Sequence, residues 1–369
     1  MKDIVHLVVK YHDRIVGELA ETKNGFVAFQ YSKEWLADGF SISPFSLPLD
    51  NRVFIPRKDV FEGLFGVFAD SLPDGWGRLL VDRMLLSMKI APKSVSTIQR
   101  LAIVGSRGMG ALEYYPELLQ TESANNFDFD KLALECEKIL SEKNSDDLDV
   151  LFQMGGSSGG ARPKVLVNVE DEPWLVKFPS SYDKKSIGEE EYRYMLCAKQ
   201  CGIDMPEIRL FSSKINRGYF GSKRFDRRAD AKVHMVTVSG LLETSHRIPN
   251  LDYHDLMKLT FMLTKDSQQM EEMYRRMCFN VFSHNRDDHS KNFSYLYDEQ
   301  EQRWKLSPVY DLTYSESIGG EHATCVNGNG VNPSIDDLLE VGKTTGVSVS
   351  KLRKIALEIE EIVKEMIML

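Results

Sequence analysis

No apolar run in the 369 residues approaches the length needed to cross a bilayer, which argues against a helical membrane protein. The opening residues Met1-Lys-Asp-Ile-Val-His-Leu7 lack a signal-peptide core and a cleavage site, so a cytoplasmic location is expected, with no membrane partner. Cysteine is scarce, odd in number and scattered (Cys136, Cys197, Cys201, Cys278, Cys325), which fits reduced thiols rather than a disulfide framework. Cys197 and Cys201 lie one helical turn apart and read as small core residues. Basic excess is missing too: 46 Lys and Arg against 55 Asp and Glu leave a net charge of -9, which argues against an autonomous nucleic-acid binder. Internal repeats, low-complexity tracts and the Walker spacing Gly-x4-Gly-Lys-Ser/Thr are all absent, so solenoids, disordered tails and P-loop NTPases lack support.

What is present is an ordinary globular composition, 42% hydrophobic, in a chain long enough for two domains or lobes. Ile4–Lys10, Arg14–Leu19 and Gly25–Gln30 alternate as strands of a small antiparallel sheet. Helical signals run from Phe61 to Met88, with Ser71-Leu-Pro-Asp74 supplying helix-start chemistry. Gly105-Ser-Arg-Gly-Met-Gly110 is followed by a strand pattern rather than a helix and reads as a turn, not a phosphate loop. Thr121–Phe127 is polar and reads as a linker, placing a domain boundary between about 115 and 145. The expected division is 1–120, a linker and helix over 121–148, a second domain over 149–345 and a C-terminal helix over 346–369.

The second domain opens with a strand at Asp149–Gln153, a loop with glycines at 155, 156, 159 and 160, and a hairpin of Val165–Val169 and Trp174–Phe178. Such a loop brings backbone N–H groups close to phosphate oxygens, although a merely flexible loop fits the sequence equally well. Lys177 lies inside an apolar strand on the face shared with Leu175, where an ammonium group favours an anionic partner; a lysine snorkelling at a strand end is the competing reading. Ser180–Gly202 reads as a helix whose Glu191 is the natural partner for Lys177, with Glu189 and Glu190 competing. Two strands, Ile208–Phe211 and Arg217–Phe225, lead into a hinge at Asp226-Arg-Arg228, and the chain from Leu251 is mainly helical. Ser348–Leu369 is amphipathic and is expected to dock as a helix.

Residues 281–296 carry the chemistry. Asp287-x4-Asn292 supplies a carboxylate for a substrate hydroxyl and an amide oxygen for a metal, and Pro308-Val-Tyr-Asp311 supplies a second carboxylate. A hairpin of Phe293–Tyr297 and Trp304–Ser307 returns Asp311 beside Asn292, and two hard oxygen ligands suit Mg²⁺. His284 and His289, five apart and without a nearby cysteine, do not form a zinc site.

Taken in order, these residues resemble the HipA family of serine/threonine kinase toxins. The motifs are Phe65-Gly-Val-Phe-Ala-Asp-Ser-Leu-Pro-Asp-Gly-Trp-Gly77, Ser157-Ser-Gly-Gly-Ala-Arg-Pro-Lys164, Lys177, Lys223-Arg-Phe-Asp-Arg227, Asn285-x-Asp287-x-His289-x-Lys291-Asn292 and Pro308-x-Tyr-Asp311. The resemblance implies an α+β, two-domain kinase fold: a small α/β N-terminal domain and a helix-rich C-terminal domain with a kinase-like ATP cleft. It implies catalytic roles for Asp287, Lys177, His289 and Lys291, with Asn292 and Asp311 as Mg²⁺ ligands. ATP contacts are implied for the loop Ser158, Gly159, Gly160, Ala161, Arg162, Pro163 and Lys164, for Lys177, and for the adenine hinge Lys223, Arg224 and Phe225. Ser157, with Ser158 beside it, matches the serine that family members phosphorylate on themselves. Two positions depart from the family pattern: Arg162-Pro163, where Pro163 removes a backbone donor, and Lys223, where the hinge often begins with Glu. Implied partners are a HipB-like DNA-binding antitoxin, with DNA reached only through it, and a protein of translation such as an aminoacyl-tRNA synthetase. Two other readings compete with this one: a kinase-like co-repressor scaffold with little or no catalysis, and a small-molecule kinase.

Overall fold

The computed structural model describes residues 4–119, 127–141, 143, 145, 147–228 and 231–367; most of the expected linker, residues 120–126, lies outside them. The described residues divide into two compact units. The first holds residues up to 188 with 209–236 and 240–244; the second holds 189–208, 237–239 and 245 onward.

Four antiparallel strands open the first unit: β1 (His6–Tyr11), β2 (Arg14–Glu21), β3 (Val27–Tyr31) and β4 (Leu112–Tyr115), in the order β3-β2-β1-β4. The expected alternation holds, with Leu7, Val9 and Tyr11 buried along β1. Between β3 and β4 lie α1 (Gly75–Ser87) and α2 (Thr97–Val104), the latter unread in the sequence although Ser96 and Gln99 form a reciprocal capping box at its start. Next come α3 (Phe129–Leu140) and α4 (Leu148–Gly155).

Helix α4 corrects the strand expected at Asp149–Gln153. Its Leu151, Phe152, Met154 and Gly155 are buried, a spacing of three and four that covers one helical face packed on α1, and so short an apolar run does not itself distinguish helix from strand. A second antiparallel sheet follows, β5 (Lys164–Val169), β6 (Glu172–Lys177), β7 (Ile208–Phe211) and β8 (Tyr219–Lys223), in the order β5-β6-β8-β7. Trp76 and Leu80 from α1, Phe152 from α4 and Val165, Trp174 and Val176 from the sheet share one core, each side chain contributing roughly 1.5–3 kcal/mol on burial.

Helix α5 (Ile187–Gln200) is shorter than expected and carries the chain into the second unit, burying Glu191, Tyr194, Met195, Cys197 and Ala198. Helices α6 (Tyr253–Thr264) and α7 (Ser267–Phe282) pack together, and the expected hairpin forms as β9 (Ser294–Asp298) and β10 (Arg303–Leu306). After α8 (Ile335–Gly342), α9 (Val349–Met366) docks on α7 and α8 with Leu352, Ile355, Ala356, Ile359 and Val363 buried. Among the described residues no helix is long and apolar enough to cross a membrane.

In the first unit both oxygens of Glu243 accept from the Gly66 N–H, at 3.0 and 3.1 Å. Burial, with Asp70 nearby, pushes this carboxyl up to about 7 despite the bonds from Gly66 and Ser46. The folded protein therefore holds the proton more tightly than the unfolded chain, and the stability linked to it is full below about pH 4.5 and lost as pH rises through about 7. The melting temperature is expected to fall across that window. Glu243→Gln, measured by thermal denaturation at matched ionic strength, is expected to flatten the decline.

Candidate active site

The glycine loop joins α4 to β5 inside the first unit, and its neighbours are set by the 71–77 segment. Trp76 donates from its backbone N–H to Gly160 O at 2.9 Å and from its indole Nε1 to Lys164 O at 3.0 Å. Asp74 sits at the N-cap position of α1 yet makes no capping bond there; its carboxylate accepts from the Gly160 N–H instead. The helix-start reading of Asp74 thus gives the right place in the chain and the wrong partner. Gly77 has to be glycine, because a Cβ there would lie 2.1 Å from Ser158 O. Within the loop, Ser158 Oγ donates to Gly155 O at 2.6 Å, Lys164 Nζ donates to Gly159 O, and Arg162 pairs with Asp183 through Nε at 3.2 Å. Ser157 and Ser158 are buried, whereas Gly160 and Ala161 are exposed. Pro163 lacks an N–H and uses its carbonyl to accept from Phe178 N at 2.8 Å.

Lys177 ends β6, half-buried on the Leu175 face as its alternation requires, while Trp174 and Val176 enter the core. It pairs in register with Lys164, which sets two ammonium groups on neighbouring strands, and its Nζ lies 5.7 Å from the centre of the Phe220 ring. At the hinge, Lys223 pairs with Glu172 at 3.0 Å. The Arg224 guanidinium grips buried Asp226 with two bonds, at 2.9 and 2.7 Å, and its backbone N–H donates to Pro173 O. Asp226 also accepts from Arg227 at 2.8 Å and from the Gly110 N–H at 2.9 Å. Burial alone would raise its pKa, but the two arginines hold it down to about 2. Arg224 is therefore committed to the hinge's own structure, and the 105–110 turn serves as its docking point. Phe225 is half-buried beside it.

In the second unit, the loop after α7 carries the acidic motif. Asn292 Nδ2 donates to Asp287 O at 2.7 Å, which closes the loop with one of the two amide N–H groups and leaves the amide oxygen as the ligand atom. His289 Nδ1 accepts from Lys291 N at 3.2 Å, so the ring proton belongs on Nε2, which lies 3.7 Å from Asp287 Oδ1. The returning chain is pinned to this loop at three points. Ser307 N donates to Ser294 O at 2.9 Å, Tyr310 OH to Lys291 O at 2.7 Å, and Ser315 N to His284 O at 3.1 Å. Asp311, with φ 59°, follows the second of these, so the hairpin returns it to the segment that holds Asp287 and Asn292. Glu191 belongs to this unit and is 2% exposed on α5.

Two groups of functional residues escaped the sequence reading. One is the Asp74–Gly77 clamp on the glycine loop, whose signal was the Phe65–Gly77 motif. The other is Asp288, 1% exposed, which accepts from Tyr253 OH and His322 Nδ1 at 2.9 Å each and from Thr324 N at 3.2 Å. Asn280 donates to the same tyrosine hydroxyl, and Asn285 to Asn280, so a buried polar chain supports the loop from behind. The adjacent pair Asp287-Asp288 was its signal.

A model described as the HipA-like C-terminal domain matches residues 156–367, and one described as the HipA N-terminal domain matches residues 7–115. "Putative kinase Y4mE" of Sinorhizobium fredii is 25% identical over 342 residues, 83% of this chain and 76% of that protein. "Putative kinase Y4dM" of the same organism is 28% identical over 169 residues, covering 42% of this chain and 40% of that protein. A "Putative kinase" of Haemophilus influenzae is 26% identical over 182 residues, 43% of this chain and 53% of that protein. The chain thus spans about half the length of these last two relatives. Among solved structures, the Shewanella oneidensis MR-1 toxin-antitoxin complex of HipA, HipB and operator DNA contains a chain with a TM-score of 0.72 at 18% identity, over 98% of this chain and 91% of that one. At that identity the likeness is one of fold, and it agrees with the expected two-domain α+β architecture.

The Asp74 clamp generates a direct expectation. Asp74→Ala removes a charge-assisted bond worth roughly 1.5–3 kcal/mol, so the Gly160 amide should exchange with solvent at least about tenfold faster, whereas Asp74→Asn keeps an acceptor and should exchange nearly as slowly as wild type. Hydrogen-exchange mass spectrometry of the loop peptide measures this.

Proposed function

The chain belongs to the HipA family, and on that premise we propose that it is an ATP- and Mg²⁺-dependent serine/threonine protein kinase. The observation that carries the reading is the closed Asp287–Asn292 loop, on which His289 approaches Asp287 and to which Tyr310, the neighbour of Asp311, is bonded at Lys291 O. Asp287 takes the proton from a substrate hydroxyl as that oxygen bonds to the γ-phosphorus of ATP, while the bond to the β,γ-bridging oxygen breaks and ADP leaves. His289 orients the Asp287 carboxylate. Lys177 offsets phosphate charge, and the exposed Gly160 and Ala161 give the loop its approach to phosphate. The Asn292 amide oxygen and the Asp311 carboxylate fit Mg²⁺, which supplies further charge neutralisation on the phosphates when bound.

Ser157 is the candidate for self-modification, since Ser158 Oγ is already tied to Gly155 O. The burial of both serines means that the loop has to open before either reacts. The HipB and operator DNA in the Shewanella complex support a HipB-like antitoxin as partner, with DNA reached through it, which agrees with a net charge of -9. A translation-related protein, such as an aminoacyl-tRNA synthetase, is the substrate class the family implies, and the cytoplasm is the corresponding location. A co-repressor scaffold is the second reading, favoured by one observation: the Gly160 N–H is already satisfied by Asp74.

With labelled ATP, Asp287→Asn should lower phosphoryl transfer by about 10²–10⁴-fold at an unchanged melting temperature. Ser157→Ala should abolish incorporation into the chain itself, as located by peptide mass spectrometry. Transfer at the wild-type rate in Asp287→Asn would contradict the assignment, and no transfer by the wild type would favour the scaffold.

A further inference from the structure

Behind the acidic loop, wholly within the second unit, lies a cavity of about 360 Å³ that the proposed chemistry does not use. That volume is at the lower end of the roughly 300–1,000 Å³ typical of small-molecule sites. Its polar wall is rich in nitrogen donors: His284, Arg286, His322, Asn332 and Lys364 line it against the single acid Glu360. Lys364 and Glu360 answer one another at 2.5 Å, and His322 Nδ1 is bound to Asp288. Arg286 has no such partner among the described residues. Its Nε is buried and, among the described residues, meets no acceptor, which is uncommon for a buried donor. Burial, then Arg286 and His322, hold the His284 pKa below its ordinary value, which favours its neutral ring and leaves the Arg286 guanidinium as the unpaired charge of this wall. The carboxyl end of α7, which contributes Val281 and Phe282, favours a positive charge here but leaves the Arg286 donor unanswered. Phe282, Val331 and Pro333 make the rest of the wall apolar.

We propose that this cavity binds a small organic anion, with its phosphate or carboxylate group on Arg286, His284 and His322 and its apolar body against Phe282 and Val331. The site is distinct from the proposed phosphoryl-transfer residues, so it stands or falls separately from that reading.

Phenylphosphate and benzoate, titrated separately by calorimetry into the full-length protein, are suitable probes of the two head groups. At least one should bind saturably and raise the melting temperature. Arg286→Met should weaken that binding at least tenfold. Val331→Trp, which fills the cavity from a position 49% exposed, should abolish it. Lys177→Met should leave it unchanged, because that lysine belongs to the glycine-loop half. If Arg286→Met fails to fold, Val331→Trp alone decides. Absence of saturable binding by both probes overturns the proposal. So does retention of full affinity in either cavity variant, or loss of binding in Lys177→Met.

Discussion

Burial of the Asp288 carboxylate is the constraint on which the acidic loop depends. A buried charge is costly unless it is fully hydrogen-bonded, and Tyr253, His322 and Thr324 together satisfy Asp288 from three directions. Thr324 Oγ1 also donates to the Asp288 carbonyl at 2.6 Å, so side chain and backbone are fixed at one residue. With Asp288 held inside, its neighbour Asp287 is left 57% exposed, where a reacting carboxylate is useful. The Asn292 and Tyr310 bonds then tie the rest of the segment to that fixed point. Rigidity of this kind is inexpensive here because every partner sits in one unit, Tyr253 on α6 and His322 and Thr324 on the chain after the hairpin.

The glycine loop follows a different logic. Its clamp comes from a segment 86 residues earlier in the chain, and each bond (Asp74 to Gly160 N, Trp76 N to Gly160 O, the Trp76 indole to Lys164 O) fixes backbone rather than side chain. A loop held through its backbone keeps its conformation with little help from its side chains, and Gly160, at φ 80°, favours glycine. The same clamp occupies an amide that an anion could use, so the loop must exchange partners to bind phosphate through Gly160. Arg224 shows a comparable economy: its charge serves Asp226, which also accepts from the Gly110 N–H of the 105–110 turn.

Elements with strong local signals were legible in the sequence. The alternating strands β1, β2 and β3, the β9–β10 hairpin and the amphipathic α9 all follow from periodicity. Strand alternation also placed Lys177 with Leu175. Short or long-range features were lost. Val150-Leu151-Phe152 is too brief an apolar run to separate helix from strand, and only packing on α1 decides it. Asp74 advertises a helix cap, but its tertiary partner Gly160 outcompetes the local one, and no local pattern reveals that. Asp288 looks like a second exposed acid until the folded chain brings Tyr253, 35 residues back, and His322, 34 residues on, to its oxygens.

The central claim is that Asn292 and Asp311 act together on the metal that accompanies ATP. ATP affinity measured by calorimetry with and without Mg²⁺, in wild type and in the Asn292→Ala, Asp311→Ala double variant, tests it most directly. The account predicts that Mg²⁺ tightens ATP binding to the wild type and that the gain disappears in the double variant. Affinity indifferent to Mg²⁺ in the wild type, or a gain that survives the loss of both side chains, would contradict it.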